Sequence, residues 1–465
     1  MGTREFTGRV AYSSGSNEPN RSIGRTELYN HSMVDGNLPL LEKERPLRYL
    51  FLDLNSYFAS VEQQEHSELR GRPVGVGPVT VDSGTIVAAS YEAKKFGVKT
   101  GTLVGEARRL CPEIVIQPGN WPAYAAYHKR VIEVCETVLP VEQVCSIDEM
   151  RFRLLGEERT LENAVTLAKK LKAALYEYVG ECMSCSIGIA PNPFLAKIAT
   201  EIEKPNGLVV LESKDLPQKL YSLKLTDFTG ISRRTEIRLN SVGIFTAKDL
   251  CDATLDQIRT GFRSIIGERW WYLLRGFEVP NERSSEQKSL GHSHVLPPEL
   301  RNEHGCRDVL LRLLQKASAR LRKEGFWAGQ MTVFVKGMKR SWEVRIHIPP
   351  TQDTVTMNEY FLREWSGHDF QGPIAVGVTF HDLRKSEGVT PSLFDQTFER
   401  SKFNEAIDRM NQKFGKNKVF LAGMEHAKET ADEKIAFQKT ELFVEGKGDH
   451  DFEVDTFRGL KRDPE

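Results

Sequence analysis

The alternation of apolar and polar residues divides the chain into stretches of different character. Residues 1 to 46 are rich in Ser, Asn, Gly and charge without periodicity, and read as a flexible N-terminal arm. From Leu47 to about residue 211, short β-branched runs alternate with helix-period patterns, which predicts a mixed sheet with helices packed on it. Residues 212 to 285 read as helical, broken at Gly230 and Gly243. Residues 288 to 383 return to a long helix and strands such as MTVFVKG and WEVRIHI, and beyond about residue 425 the chain becomes a charged tail containing glycines. The whole pattern is that of an α/β (α+β) multidomain protein without internal repeats.

One apolar run carries an anomaly. In LFLDLNSYFASVEQQ, residues 50 to 64, Asp53 sits inside a strand pattern, with Asn55, Tyr57 and Phe58 behind it. A buried ionised carboxylate is costly unless it is paired or metal-bound, and on this residue alone a structural salt bridge or an exposed strand end is preferred to a metal site. A second acidic cluster, Asp148 and Glu149 in CSIDEMRF, follows the strand pattern Val144 to Ile147. Three carboxylates converging on one spot repel, so they raise a pKa or demand cations, and hard oxygen ligands select magnesium or manganese over zinc. Because neighbouring strand residues face opposite ways, Asp148 and Glu149 share one site only where the strand ends or twists.

A pair of such ions activates an attacking oxygen and stabilises a leaving one, the logic of phosphoryl and nucleotidyl transfer. The substrate should then carry phosphates. In YEAKKFGVKTG, Tyr91 and Lys94 lie on one helix face ahead of a stop at Gly97. In FLAKIATEIEKPNG, Lys197 and Lys204 project away from an apolar face of Phe194, Leu195, Ile198 and Ile202, and Pro205, Asn206 and Gly207 end the helix.

Composition removes some alternatives. Lys+Arg and Asp+Glu both number 64, so any nucleic-acid surface must be a local concentration of charge. No stretch approaches the roughly 18 apolar residues of a membrane span, and the N-terminus lacks the apolar core of a secretory signal, which implies a cytoplasmic protein. The seven cysteines form no disulfide framework, and Cys182 and Cys185 lack the further ligands of a zinc site.

Taken in order, LDLNSYFASVE, YEAKKFGV, SIDE and SIGIAPNPFLAKIA with KPNG resemble the motifs of the Y-family, translesion DNA polymerases of bacterial type. The likeness is specific over residues 47 to 285 and looser to 383. It implies a right-hand polymerase: a palm at 47–56 and 120–211, small fingers at 57–119, a helical thumb at 212–285, an additional DNA-binding little finger at 288–383, and a C-terminal extension at 384–465. It further implies that Asp53, Asp148, Glu149 and the backbone carbonyl of Leu54 hold two Mg²⁺ ions, with Mn²⁺ as a substitute. Tyr91, Lys94 and Lys204 would grip the triphosphate of a dNTP, and Phe58 would be the steric gate against a 2′-hydroxyl. Lys94 stands where the family commonly has arginine, Met150 to Arg153 replace the usual Ala-Tyr-Leu-Asp, and Pro193 replaces a frequent lysine.

LTDFTGISRRTEIRLNSVGI resembles a helix-hairpin-helix unit, in which Gly230 turns the chain so that backbone N–H groups meet a DNA phosphate; Ser232 stands where a second glycine is usual. Between residues 312 and 345, nine basic residues against two acids read as a DNA-facing surface. Trp270 and Trp271 are assigned to the core. In GVTPSLFDQ, Leu393 and Phe394 resemble the end of a sliding-clamp peptide, with Thr390 and Pro391 in place of the common glutamine and leucine. The expected partners are primer-template DNA, dNTP and the sliding clamp, with no membrane, for a monomer working at the nucleoid. A non-catalytic relative that links clamp and DNA is the rival reading, which the carboxylates oppose; a nucleotide cyclase would not explain the thumb turn or the basic third domain.

Overall fold

A computed structural model describes residues 45–279, 288–386, 397–415, 417–428 and 430. The N-terminal arm as far as residue 44, the clamp-like peptide with Leu393 and Phe394, and the tail from 431 onward lie outside the described residues.

The N-terminal half is organised by a five-stranded sheet of β1 (Tyr49–Leu54), β5 (Val141–Val144), β6 (Glu149–Arg153), β7 (Cys185–Ala190) and β8 (Leu208–Val210), in the order β5-β6-β1-β7-β8. β1 is central and fully buried, which is why it reads as a continuous apolar run. Its alternate residues part company: Leu50, Leu52 and Leu54 pack with Met150, Phe152, Ile187 and Ile189 under α1 (Tyr57–Glu65), α4 (Trp121–Glu136) and α5 (Leu161–Tyr178). Tyr49 and Phe51 face the other way, into a second core with α6 (Pro193–Ile202) and the helices that follow. Asp53 is the third residue on that second face.

A small sheet, β2 (Val74–Gly77), β3 (Ala88–Ala89) and β4 (Val115–Pro118), carries the short helices α2 (Tyr91–Lys94) and α3 (Val104–Leu110) over its own core of Ile86, Val98 and Ala107. Helices α7 (Arg233–Asn240), α8 (Ala247–Asp252), α9 (Leu255–Phe262) and α10 (Ile265–Leu273) follow β8. Trp270 is buried among them with Phe194 and Phe262, ring centroids 4.6 and 4.9 Å away, and Trp271 donates its indole N–H to the Ala253 carbonyl, so both tryptophans serve packing. The last turn of this helical region is tied to the sheet. Asn192 donates to the carbonyls of Leu273 and Phe277 (2.8 and 2.9 Å), and Glu278 accepts from Arg48 (2.9 Å) and from the Tyr49 hydroxyl.

The C-terminal half is a four-stranded sheet in the order β11-β10-β12-β9, formed by β9 (Leu290–Val295), β10 (Phe326–Arg340), β11 (Trp342–Thr351) and β12 (Gln371–Lys385). α11 (Glu303–Lys323) and α12 (Thr354–Trp365) cover one face. Here the expected basic surface is only partly realised. Arg312 is buried, and Arg322 donates to Asp408 (2.7 and 2.9 Å) and to the Gln352 carbonyl (2.8 Å). α11 is a core helix, so Arg312 and Arg322 are structural; the exposed cations of this stretch are Lys323 at the end of α11 and Lys336, Lys339, Arg340 and Arg345 on the β10–β11 hairpin. Asp408 belongs to α13 (Thr397–Phe414), which also buries Ile407 and donates from Asn404 to Asp353. No helix among the described residues is long and apolar enough to cross a membrane.

Candidate active site

β1 and β6 run antiparallel with Asp53 directly opposite Glu149, so both carboxylates leave the same face of the sheet. The Leu54 N–H donates to the Asp148 carbonyl (2.9 Å), which holds Asp148 beside the end of β1. The expectation of a strand from Val144 to Ile147 is corrected: β5 ends at Val144 and residues 145–148 form the bend of the hairpin. Ile147 looked strand-like because it is apolar, but it is buried beneath the bend instead (1% exposed). The bend also resolves the problem of adjacent acids on opposite faces, since Asp148 precedes β6 and only Glu149 obeys its alternation. Burial raises the pKa of Asp148, with Asp53 adding to it against the Ser146 hydroxyl that donates to Asp148; burial also raises Glu149, with Lys197 opposing.

Behind Ile147 stands His128 of α4, fully buried, with Nδ1 2.7 Å from the Ile147 carbonyl. A carbonyl only accepts, so Nδ1 carries a proton in either charge state of the ring. Burial lowers the ring's pKa from 6.5 to about 4. The unfolded chain binds this proton below about pH 6.5 and the native one only near pH 4, so the contribution to stability is complete above that window and lost as pH falls through it. Wild type is expected to lose about 2 kcal/mol more than His128→Gln between about pH 6.5 and pH 5, measured by urea denaturation; parallel losses would refute a neutral buried ring.

Two lysines reach the acidic end of β1 from α6 and the loop after it. Lys197 is bonded to Asp53, and lies 2.9 Å from Glu149 and 3.1 Å from Glu201; Lys204 lies 3.0 Å from Asp53 and 2.8 Å from Glu201. Burial would lower the Lys197 pKa, but the carboxylates of Asp53, Glu149 and Glu201 outweigh it and raise the pKa well above the ordinary range. From the small sheet, Lys94 donates to the Ser56 hydroxyl (2.8 Å) and rests over the Tyr91 ring at 4.1 Å. Burial, then Asp53 and Glu201, push Tyr91 up to about 12, which places it in the same electrostatic environment. Phe58, near the start of α1, is buried, its ring stacked on Tyr124 at 4.4 Å and edge-on to Trp121 at 5.6 Å.

The sequence-derived residues Asp53, Leu54, Asp148, Glu149, Tyr91, Lys94 and Lys204 thus gather at one end of β1. Lys197, read from sequence with Lys204 as a cation for the phosphates, pairs instead with Asp53, Glu149 and Glu201, while the parts of Glu201, Asn55 and Ser56 in that cluster are not legible in the sequence. The i,i+4 spacing of Lys197 and Glu201 was the available signal, but it equally fits an exposed helix face.

Gly230 and Ser232 lie elsewhere, at the turn before α7. Gly230 has φ +105°, a conformation that favours glycine, and Ser232 is the N-cap of α7 with its hydroxyl 3.3 Å from that of Thr235. A cleft of about 660 Å³ lined by Thr226, Gly230 and Ser232 opens toward Glu201, linking this turn to the acidic cluster.

Residues 52–201 match the model of the impB/mucB/samB family, and residues 287–393 that of the impB/mucB/samB family C-terminal domain. The DNA polymerase IV of Moorella thermoacetica is 30% identical over 384 residues, covering 80% of this chain and 95% of that protein. The chain belongs to the Y family of translesion DNA polymerases. DNA polymerase IV 1 of Bacillus subtilis is 28% identical to this Y-family polymerase over 414 residues, 85% of this chain and 97% of that one. The fold is shared with a chimera of the Y-family DNA polymerases Dbh and Dpo4: TM-score 0.61 at 24% identity, over 72% of this chain and 99% of the chimera. The palm, fingers, thumb and little-finger architecture follows.

Among the described residues, no three His, Cys, Asp or Glu side chains are arranged as ligands of one ion. The reason is visible in the site of this Y-family polymerase: the Lys197 ammonium lies between Asp53 and Glu149, and Asp148 is engaged by Ser146. The donor set is nevertheless oxygen-only and already converges on a cation, which fits a hard divalent ion.

Proposed function

We propose that this Y-family enzyme is a template-directed, error-prone polymerase that bypasses damage by two-metal nucleotidyl transfer from dNTP to a primer 3′-hydroxyl. The observation that carries the reading is the register that sets Asp53 opposite Glu149, with Asp148 held at the Leu54 N–H and basic side chains above. Asp53, Asp148, Glu149 and the Leu54 carbonyl would hold two Mg²⁺ ions, or Mn²⁺. Ions bound there make the primer hydroxyl a better nucleophile and neutralise the leaving pyrophosphate.

The protein's own groups do the rest. Lys94 and Lys204 neutralise the triphosphate and the Tyr91 hydroxyl donates to it. Lys94 sits beside Ser56, and Phe58 follows two residues on in α1, so phosphates gripped there leave the sugar near the Phe58 ring. The palm would comprise 47–56 and 120–211, the fingers 57–119, the thumb 212–285 and the little finger 288–383, with Gly230 and Ser232 meeting a backbone phosphate of the duplex. Primer extension on an undamaged primed template, with Mg²⁺ and all four deoxynucleotides, tests the reading; an enzyme that binds this DNA without extending it would be the scaffold instead.

Phe58→Ala is expected to raise ribonucleotide incorporation by at least about tenfold, a loss of roughly 1.4 kcal/mol of discrimination. Single-nucleotide insertion of ATP against dATP measures it, and unchanged sugar selectivity would remove Phe58 from the gate.

A further inference from the structure

Asn55 lies between the metal-bearing strand and the gate, is only 2% exposed, and takes no part in the chemistry above. Its Oδ1 accepts from the Asn206 N–H (2.8 Å) and the Ser184 hydroxyl (3.3 Å), and its Nδ2 donates to Ser186 Oγ (3.0 Å). Ser186 Oγ in turn accepts from the Gly207 N–H (3.3 Å). From the opposite side Lys172, on α5, donates to the carbonyls of Asn206 (2.6 Å) and Gly207 (3.0 Å). The loop is therefore held by its N–H groups on one side and its C=O groups on the other. Its shape is equally constrained from within: Asn206 is left-handed at φ 58°, and the Glu203 carbonyl occupies the space a side chain at Gly207 would need.

We propose that Asn55 and Lys172 are positioning residues for triphosphate recognition, fixing the 204–207 loop so that the Lys204 ammonium stands over the Asp53 end of β1. The inference rests on the triphosphate role proposed for Lys204. A lysine on a loop left unbraced must be ordered each time the nucleotide binds, and that ordering subtracts from affinity without altering the transferring atoms. Ser56, the next residue, holds Lys94 directly, accepting from its ammonium (2.8 Å), where Asn55 acts on Lys204 through the loop backbone. The Asn55-Ser56 pair thus sets the separation of the two cations that a triphosphate would bridge.

Single-nucleotide insertion kinetics would be compared for wild type, Asn55→Ala, Lys172→Met, Lys204→Met and the Lys172→Met/Lys204→Met double variant, with DNA affinity followed by fluorescence anisotropy. Asn55→Ala and Lys172→Met should each raise KM for dNTP about tenfold, with kcat within about threefold and DNA Kd unchanged, as expected for lost ground-state binding. The double variant should be no worse than Lys204→Met alone. Lys172 is partly exposed on a surface helix, so its variant carries the test if Asn55→Ala does not fold. Wild-type KM in both brace variants, or losses from Lys172→Met and Lys204→Met that multiply, would overturn the brace. Wild-type KM in Lys204→Met would overturn the triphosphate role beneath it.

Discussion

Replacing Asp148 and Glu149 together by alanine will abolish primer extension, by at least about a thousandfold, while leaving primed DNA bound. Removing a single preorganised electrostatic group from an active site commonly costs 10²- to 10³-fold, and here two of the three proposed metal-holding carboxylates go at once. The substitutions leave the sheet intact, because Asp148 contributes its carbonyl to Leu54 from the backbone and Glu149 pairs with Asp53 through the strand ladder. Burial raises both carboxyl pKa values, so deleting them also relieves the fold of charge in a poorly solvated place. Extension and anisotropy on the same primed template separate the outcomes. Extension within tenfold of wild type would place the metals on other residues.

The second large effect concerns Lys197. Its side chain is 12% exposed and faces Asp53, Glu149 and Glu201, so Lys197→Met removes the ion pair of Glu149 and leaves Asp53 and Glu201 with Lys204 alone. Removing one partner of a buried ion pair costs about 3 to 5 kcal/mol, because the remaining charge is uncompensated. The variant is expected to lose about 3 kcal/mol of stability in EDTA, read by urea denaturation, and to recover most of it in millimolar Mg²⁺ or Mn²⁺ as the divalent ion takes over the neutralising role. A loss that metal does not repair would mean that Lys197 is a plain structural ion pair, remote from any cation site.

Much of this site is legible from residue order, and what is not has definable reasons. Asp53 betrays itself because β1 is buried on both faces, so an acid within it has no bland environment. The hairpin acids are harder: Ile147 extends an apolar run past the true end of β5, and only the backbone shows that the chain has already turned. Lys197 and Lys204 look alike in sequence, yet one is enclosed by carboxylates and the other sits in a braced loop, a difference set by partners 144 and 151 positions distant along the chain. The cations of α11 mislead for the converse reason. Arg312 and Arg322 lie on a helix buried under its own sheet and α13, so a count of basic residues mistakes internal ties for a DNA-facing surface. α13 is legible only as part of a C-terminal extension, and nothing local says that its Asn404 and Asp408 are addressed to Asp353 and Arg322.

The register of β1 carries one more consequence. Strand side chains alternate, so sliding β1 by a single residue against β6 would turn Asp53 into the leucine-lined core and bring Leu52 or Leu54 to the lysines. A chain with that slip therefore does not retain a weakened active site; it has none. Turnover per molecule in a refolded preparation thus counts the chains whose β1 and β6 have paired in the native register.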